Sequence, residues 1–257
     1  MNRRVGRAMH TYSMLADGDR VLVAVSGGED SLVLAWLLDF WRRKAPIDYE
    51  IAALHIDMEP DGVQPGEPAG KVRQQLEPLG ICLDIIPAAW QPPAVSAGAE
   101  KSTRDVCYNC SSSRRKQLFD FARQENCNKV AFGHHQDDII ETFFINLCYG
   151  GNISTMVPRQ DIFEGRLSLI RPLAFLDKQE ISMISRKLGF EPVRSSCPLA
   201  EKTGRMDIRS LLAELYTIIP GAKPRIFAAL ANVREEYLLQ RPGTVRSGEG
   251  RRNADRQ

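Results

Sequence analysis

The stretch VAVSGGEDS (Val23–Ser31) decides how this chain is read. It closes an apolar run, RVLVAV (20–25), turns through Ser26, Gly27 and Gly28, and opens a second apolar segment, DSLVLAWLLDFWRRK (30–44). A short β-branched run ending in a glycine turn reads as a buried strand. Asp30 and Ser31 suit the start of a helix. The glycines let the backbone take positive φ and approach a ligand closely. Successive backbone N–H groups then form an anion-binding nest, and the free N–H groups of the helix start add to it. The hydroxyls of Ser26 and Ser31 can donate to phosphate oxygens. The spacing is not that of a Walker loop, which needs a Gly-Lys-Ser/Thr end. The structural alternative is a plain strand-to-helix turn capped by Asp30 or Ser31.

Working outward, EIAALHID (50–57), CLDIIPA (82–88) and KVAFGHH (129–135) read as further strands. Helices are expected over 1–17, 71–80, 110–127, 137–151, 177–190, 205–219 and 223–240, with Asp177 and Glu180 forming a capping box. Residues 58–70 and 89–104 read as loops, and 159–173 as a hairpin turning at Glu164-Gly165. Strands alternating with helices imply an α/β fold, a parallel sheet flanked by helices. Ligands in such folds sit outside the carboxyl ends of the strands. Ser26–Ser31, Asp57 and the segment His134–Asp138 all fall there. The expected organisation is an N-terminal helix (1–18), an α/β domain (19–200), a small helical C-terminal extension (201–240) and a disordered basic tail (241–257). The tail carries five arginines against two acids, a net +3.

The whole chain has 257 residues, 43% of them hydrophobic and 26% charged, with a net charge of +2. Those values exclude wholesale disorder and collagen, and no apolar run reaches the roughly 18 residues of a membrane span. The start, MNRRVGRAMHTYSM, lacks an apolar signal core, so a cytoplasmic protein with no membrane partner is expected. Six cysteines in such a chain suggest metal or redox chemistry rather than a disulfide framework. Cys107 and Cys110 form a C-x-x-C at the mouth of a helix, where the dipole and Arg104, Arg114, Arg115 and Lys116 favour thiolate. A dithiol redox pair, half a zinc site and an iron–sulfur site are equally open from the residues alone. Cys197, in SSCP, can return to the same place, whereas Cys82, Cys127 and Cys148 read as core or boundary residues. In GHHQDD (133–138), Asp137 and Asp138 suit helix capping, and either suits Mg²⁺ on a nucleotide phosphate. Of the two histidines, His135 is taken as the functional one. Gly133 joins this segment to the nucleotide site, and His55 and Asp57 are expected near the adenosine, a loop-capping Asp57 being the alternative.

SGGEDS resembles the S-G-G-x-D-S signature of the PP-loop ATP pyrophosphatases, which split ATP between the α and β phosphates. Together with CYNC (107–110), the Arg-Arg-Lys cluster, GHHQDDIIET (133–142), YGG (149–151) and IRPLAFLDKQEI (170–181), the chain is similar to the tRNA 2-thiocytidine synthetase family over residues 20 to 215. The resemblance implies a [4Fe–4S] cluster on Cys107, Cys110 and Cys197, ATP and Mg²⁺ as further cofactors, a tRNA substrate modified at cytidine 32, and a homodimer. It also implies a sulfur donor, either a cysteine desulfurase or sulfide. ATP would rest on Ser26, Gly27, Gly28, Asp30 and Ser31, with Asp138 holding Mg²⁺. RNA binding needs basic surface, for which Arg3, Arg4, Arg7, Arg114, Arg115, Lys116, Arg205, Arg209 and the C-terminal arginines are candidates. Two features depart from the family pattern. Glu29 stands where the family usually has Lys, and Cys197 stands alone where the family carries a second C-x-x-C. Other functions stay open: a PP-loop enzyme acting on another RNA base or a small molecule, or a nucleotide-binding redox sensor.

Overall fold

The computed structural model describes residues 2–91, 103–193, 197 and 204–239. The expected tail, 241–257, lies outside the described residues. In chain order the elements are α1 (Asn2–Thr11), β1 (Asp19–Ala24), α2 (Glu29–Arg42), β2 (Tyr49–Asp57), α3 (Glu67–Leu76), β3 (Leu83–Pro87), α4 (Thr103–Gln124) and β4 (Lys129–Ala131). There follow α5 (Gln136–Gly150), β5 (Arg159–Ile162), β6 (Leu167–Ile170), α6 (Lys178–Leu188), α7 (Gly204–Ile218) and α8 (Ala222–Ala229). Residues 1–220 form one compact unit and 221–257 a second, so α7 belongs to the main unit and α8 to the other.

The six strands form one sheet in the order β3-β2-β1-β4-β6-β5. All neighbours are parallel except the β5–β6 hairpin at one edge. The hairpin turns where expected, with Phe163, Glu164 and Gly165 all at positive φ. Strand pleating sends alternate residues to opposite faces. Val21, Val23 and Val25 thus join a core with α1, α2, α3 and α6, while Leu22 joins Leu54, Ile56, Val130 and Leu169 under α4. Both faces are covered, which is why these strands are apolar throughout. The chain leaves β1 toward β2 on one side and returns from β3 to β4 on the other. The switch point therefore lies between the carboxyl ends of β1 and β4, where an open α/β sheet has its crevice.

Several element limits differ from the sequence reading. The third helix begins at Glu67, inside the expected 58–70 loop, with Pro68 in its first turn; proline is tolerated there because that N–H has no partner anyway. The fourth helix begins at Thr103, so Cys107 and Cys110 sit inside it rather than at its mouth. The fourth strand stops at Ala131, and the helix expected over 223–240 ends at Ala229. The capping box of α6 is present as read: Glu180 N–H donates to Asp177 Oδ1 at 3.0 Å, and Asp177 N–H to Glu180 Oε2 at 3.1 Å. Replacing Asp177 with Ala should lower unfolding stability by about 1 kcal/mol, read from urea denaturation; an unchanged midpoint would refute the cap's contribution.

Candidate nucleotide site and cysteine set

The turn after β1 is held by its own side chains. Ser31 Oγ donates to the Gly28 carbonyl at 2.8 Å and accepts from Ser26 N–H at 3.1 Å, with the Ser26 hydroxyl 3.2 Å away. The N-cap of α2 is Gly28, so neither Asp30 nor Ser31 is the cap the sequence suggested. Gly27 has φ +85, and a Cβ there would meet Val72 Cγ2 at 2.7 Å. Gly133 allows a second close approach: a Cβ would come within 3.0 Å of the Asp30 carbonyl carbon and oxygen and 3.1 Å of Ser31 N. The ends of β1 and β4 are thereby drawn together beneath the start of α2.

A cleft of about 540 Å³ opens at this edge. Its floor is Ser26, Gly28, Asp30 and Ser31; further along are His55, Asp57 and Met58 from the end of β2, and Gly133, His134 and Asp138 beyond β4. The opposite wall is α4, through Ser111, Arg114, Arg115 and Leu118. Asp57 is 2% exposed and accepts the N–H groups of Glu59 (2.9 Å) and Gly66 (2.7 Å), so its carboxylate ties down the following loop while lining the cleft. His55 Nδ1 lies 2.8 Å from the Val25 carbonyl; burial pushes its pKa down against that bond and against Asp57. The Nε of Arg114 and the Nδ1 of His134 are buried without hydrogen-bond partners. Orphaned buried polar atoms in a cleft invite a ligand, and a guanidinium opposite a backbone nest suits an anion.

The histidines divide their roles differently from the sequence reading. His134 lines the cleft and stacks on Phe132 at 5.6 Å, whereas His135 does not line it. His135 is the N-cap of α5, and its N–H donates to Asp138 Oδ2 at 3.0 Å. Its ring is surrounded by Asp138 (3.4 Å), Asp137 (3.6 Å) and Asp30 (3.8 Å). At such lengths these are charge neighbours rather than strong hydrogen bonds. Burial disfavours the His135 cation, but the three carboxylates outweigh it and raise the pKa above the ordinary 6.5. Asp137 accepts the backbone N–H of Lys178 at 2.9 Å, which joins α5 to α6.

Burial also pushes His134 down to about 4, with Asp138 opposing and Arg171, Arg205 and His135 reinforcing. Between its unfolded value near 6.5 and that folded value the unfolded chain holds more protons, so stability falls as pH drops through this window. His135 acts oppositely: its contribution is full below 6.5 and lost as pH rises through its raised pKa. Replacing His134 with Gln should flatten the acid limb by up to about 3 kcal/mol, measured by denaturation at several pH values; an unaltered acid limb would refute the neutral His134.

Arg205 and Arg209, offered above to RNA, face carboxylates of α5. Arg205 lies 3.4 Å from Asp138 and 3.8 Å from Glu141, and Arg209 donates to Glu141 at 2.7 Å. Arg114 and Arg115 line the cleft wall, and Lys116 is exposed on the same helix. Asp138 has both oxygens engaged, one by His135 N–H and one by Arg205. No group of three His, Cys, Asp or Glu side chains among the described residues closes around a single ion. One carboxylate still fits Mg²⁺, which takes most of its ligands from phosphate and water.

No described cysteine is in a disulfide. Cys107, Cys110 and Cys197 are each half-buried, while Cys127 is buried and Cys82 and Cys148 are exposed. The Cys107 thiol is pushed up, first by desolvation and then by Cys197 and Cys110, against the pull of Arg114. Desolvation and the two neighbouring thiols thus oppose the thiolate that Arg114 favours. The influence of Cys197 also shows that it returns to the C-x-x-C. Three thiols within electrostatic reach of one another are the donor type an iron–sulfur cluster takes, its ligands binding different irons. Sequence reasoning missed Lys178, which bridges Glu29 (2.9 Å) and Asp30 (2.6 Å) from the first turn of α6; nothing local marks it.

A glycine nest at the switch point of a parallel sheet, walled by arginines, defines a PP-loop protein, and the profile of the PP-loop domain matches residues 1–215. A tRNA-cytidine(32) 2-sulfurtransferase from Alkalilimnicola ehrlichii is 33% identical, over 97% of this chain and 80% of its own length. One from Geobacter sulfurreducens is 35% identical, over 91% of this chain and 90% of its own. The U34-tRNA thiolase NcsA from Methanococcus maripaludis, solved with its [4Fe-4S] cluster, shares the fold with a TM-score of 0.70 at 21% identity, covering 93% of this chain and 79% of that one. The chain belongs to the PP-loop family and, within it, to the tRNA-cytidine(32) 2-sulfurtransferases. Among the described residues no helix is long and apolar enough to cross a membrane.

Proposed function

We propose that this chain uses ATP to convert cytidine 32 of a tRNA anticodon loop to 2-thiocytidine. The observation that carries the reading is the shared helix α4. Ser111, Arg114 and Leu118 line the cleft, and Cys107 lies on the same face, one turn or about 6 Å along the axis from Ser111. One rigid element thus carries part of the cleft wall and two of the three cysteines, which supports coupling nucleotide activation to sulfur transfer.

In this reading the ATP phosphates rest on the N–H groups of Gly27 and Gly28 and the hydroxyls of Ser26 and Ser31. The adenosine lies toward His55, Asp57 and the apolar side chains of Leu54, Ile56 and Met58. Arg114 and His134 complete the anion site with their unpartnered nitrogens, and Asp138 holds Mg²⁺ on the phosphates. The cytidine O2 attacks the α-phosphorus; the bond to the β-phosphate oxygen breaks and pyrophosphate leaves. A sulfide-level donor then bonds to C2, and the C2–O bond breaks with release of AMP, so no net redox change occurs. Cys107, Cys110 and Cys197 would hold an iron–sulfur cluster, which would supply a binding position for that sulfur. His135, whose protonation Asp30, Asp137 and Asp138 favour, offsets part of the repulsion between those carboxylates and the nucleotide. Arg115 and Lys116 guide the RNA backbone to the cleft, where a single-stranded loop can present its base.

The test is anaerobic purification with iron and sulfide counting, then pyrophosphate release with and without tRNA. Release that requires tRNA, together with 2-thiocytidine in the product, supports the reading. Release without RNA points to another acceptor. No release with a redox-active cluster points to a sensor.

A further inference from the structure

The loop that would receive a triphosphate carries two consecutive carboxylates, Glu29 and Asp30, in the first turn of α2. Residues 21–41 contain no Lys or Arg. Carboxylates stabilise a helix start, yet they repel the anion that the same helix start is built to hold. Their charge is answered from elsewhere in the chain. Lys178 Nζ lies 2.6 Å from Asp30 and 2.9 Å from Glu29. Ser182 Oγ, one turn further along α6, donates to the same Glu29 oxygen at 2.9 Å. The Lys178 main chain is fixed by its N–H bond to Asp137, so the ammonium is delivered from a set position.

We infer that Lys178 is the phosphate-binding cation of this site, supplied across the fold from α6, and that Glu29 holds it in reserve. The inference rests on the loop being the ATP site. The Lys178 side chain is 43% exposed, whereas Glu29 is 18% exposed, so the cation retains the freedom to move and the anchoring acid does not. A lysine ammonium on a flexible four-carbon stem can exchange one oxygen partner for another without losing its contact with Asp30. Asp30 lines the cleft, whereas Lys178 and Glu29 stand behind it, so the ammonium reaches an arriving phosphate by leaving Glu29 while keeping Asp30. His135 lies behind this pair, 3.8 Å from Asp30, and Arg114 and Arg115 answer from the opposite wall. Burial opposes the charge on Glu29, but Lys178 and Ser182, aided by Arg186, outweigh it and keep the carboxylate ionised. The competition is therefore between two anions for one cation.

Opposite effects from the two partners distinguish this role from a mere structural ion pair. A structural pair predicts that Glu29→Gln and Lys178→Met both weaken the site. Here Lys178→Met should weaken ATP binding about tenfold, and Glu29→Gln should tighten it about three- to tenfold, by removing a like charge and releasing the ammonium. AMP, which lacks the β and γ phosphates, should bind the wild type and Lys178→Met alike. Equilibrium dialysis with labelled ATP and AMP, on the cluster-loaded full chain, reads all of these. Thermal denaturation of each variant identifies one that has failed to fold, in which case Lys178→Gln replaces Lys178→Met. Both variants moving ATP affinity in the same direction, no change in either, or equal weakening of ATP and AMP by Lys178→Met overturns the inference and leaves ATP binding standing. Absence of ATP binding by the wild type overturns the nucleotide reading itself, and the inference with it.

Discussion

Replacing Cys107 with Ala should abolish formation of 2-thiocytidine, by about 100-fold or more, while pyrophosphate release in the presence of tRNA continues. The expectation follows from the placement of Cys107 on α4. Its thiol is half-buried and lies within electrostatic reach of both Cys110 and Cys197. Its neighbour one turn on, Ser111, lines the cleft but belongs to a different job. Removing a cluster ligand costs at least as much as the 10- to 100-fold loss typical of a supporting residue. Iron and sulfide content should fall in parallel with product, whereas Cys82→Ala, at an exposed position on the far side of β3's start, should change neither. Undiminished thiolation by the Cys107 variant would remove the three-cysteine set from the reaction.

Replacing Gly27 with Ala should weaken ATP binding by more than tenfold. Two independent penalties meet at this residue. Its φ of +85 lies in the left-handed region, which costs a side chain about 1–2 kcal/mol. The added Cβ would also sit 2.7 Å from Val72 Cγ2, in a fully buried side chain with nowhere to retreat. The Gly27 carbonyl accepts the Val193 N–H at 3.0 Å, so displacing the turn also strains that bond. Combining Gly27→Ala with Val72→Ala separates the two penalties. The double variant should recover part of the affinity lost to the contact and none of that lost to the backbone. Titration with labelled ATP reads both, and full affinity in the single variant would show that the turn does not hold the phosphates.

The β1–turn–α2 unit was legible almost residue for residue because its signals are local and agree: an apolar run, a glycine turn and an apolar helix. The α6 cap was legible for the same reason, since Asp177 and Glu180 are three residues apart and serve each other. The start of α4 was not. Thr103–Val106 carry no apolar period, and the C-x-x-C drew attention as a motif rather than as part of a helix. Pro68 was read as loop where it begins α3. The choice between His134 and His135 depends on which way each ring leaves a short strand end, and adjacent residues there differ only in three dimensions. The pairing of Lys178 with Glu29 and Asp30 spans some 150 positions, and no periodicity encodes it. Arg205 and Arg209 illustrate the reverse: as charges they suggested RNA, and only the fold brings the α5 carboxylates against them.

One helix, α4, runs 22 residues, about 33 Å. Leu118 and Ala122 sink its lower half into the core beneath the sheet, and its upper two turns carry the cysteines. It therefore works as a mast stepped in a hull: the foot is fixed by burial and the top is free of the sheet. A change at the top, such as Cys107→Ala, is therefore expected to leave the buried footing at Leu118 and Ala122 in place. Damage at the foot tilts everything above it, and a cavity opened at Leu118 would misalign the nucleotide wall and the cysteines together.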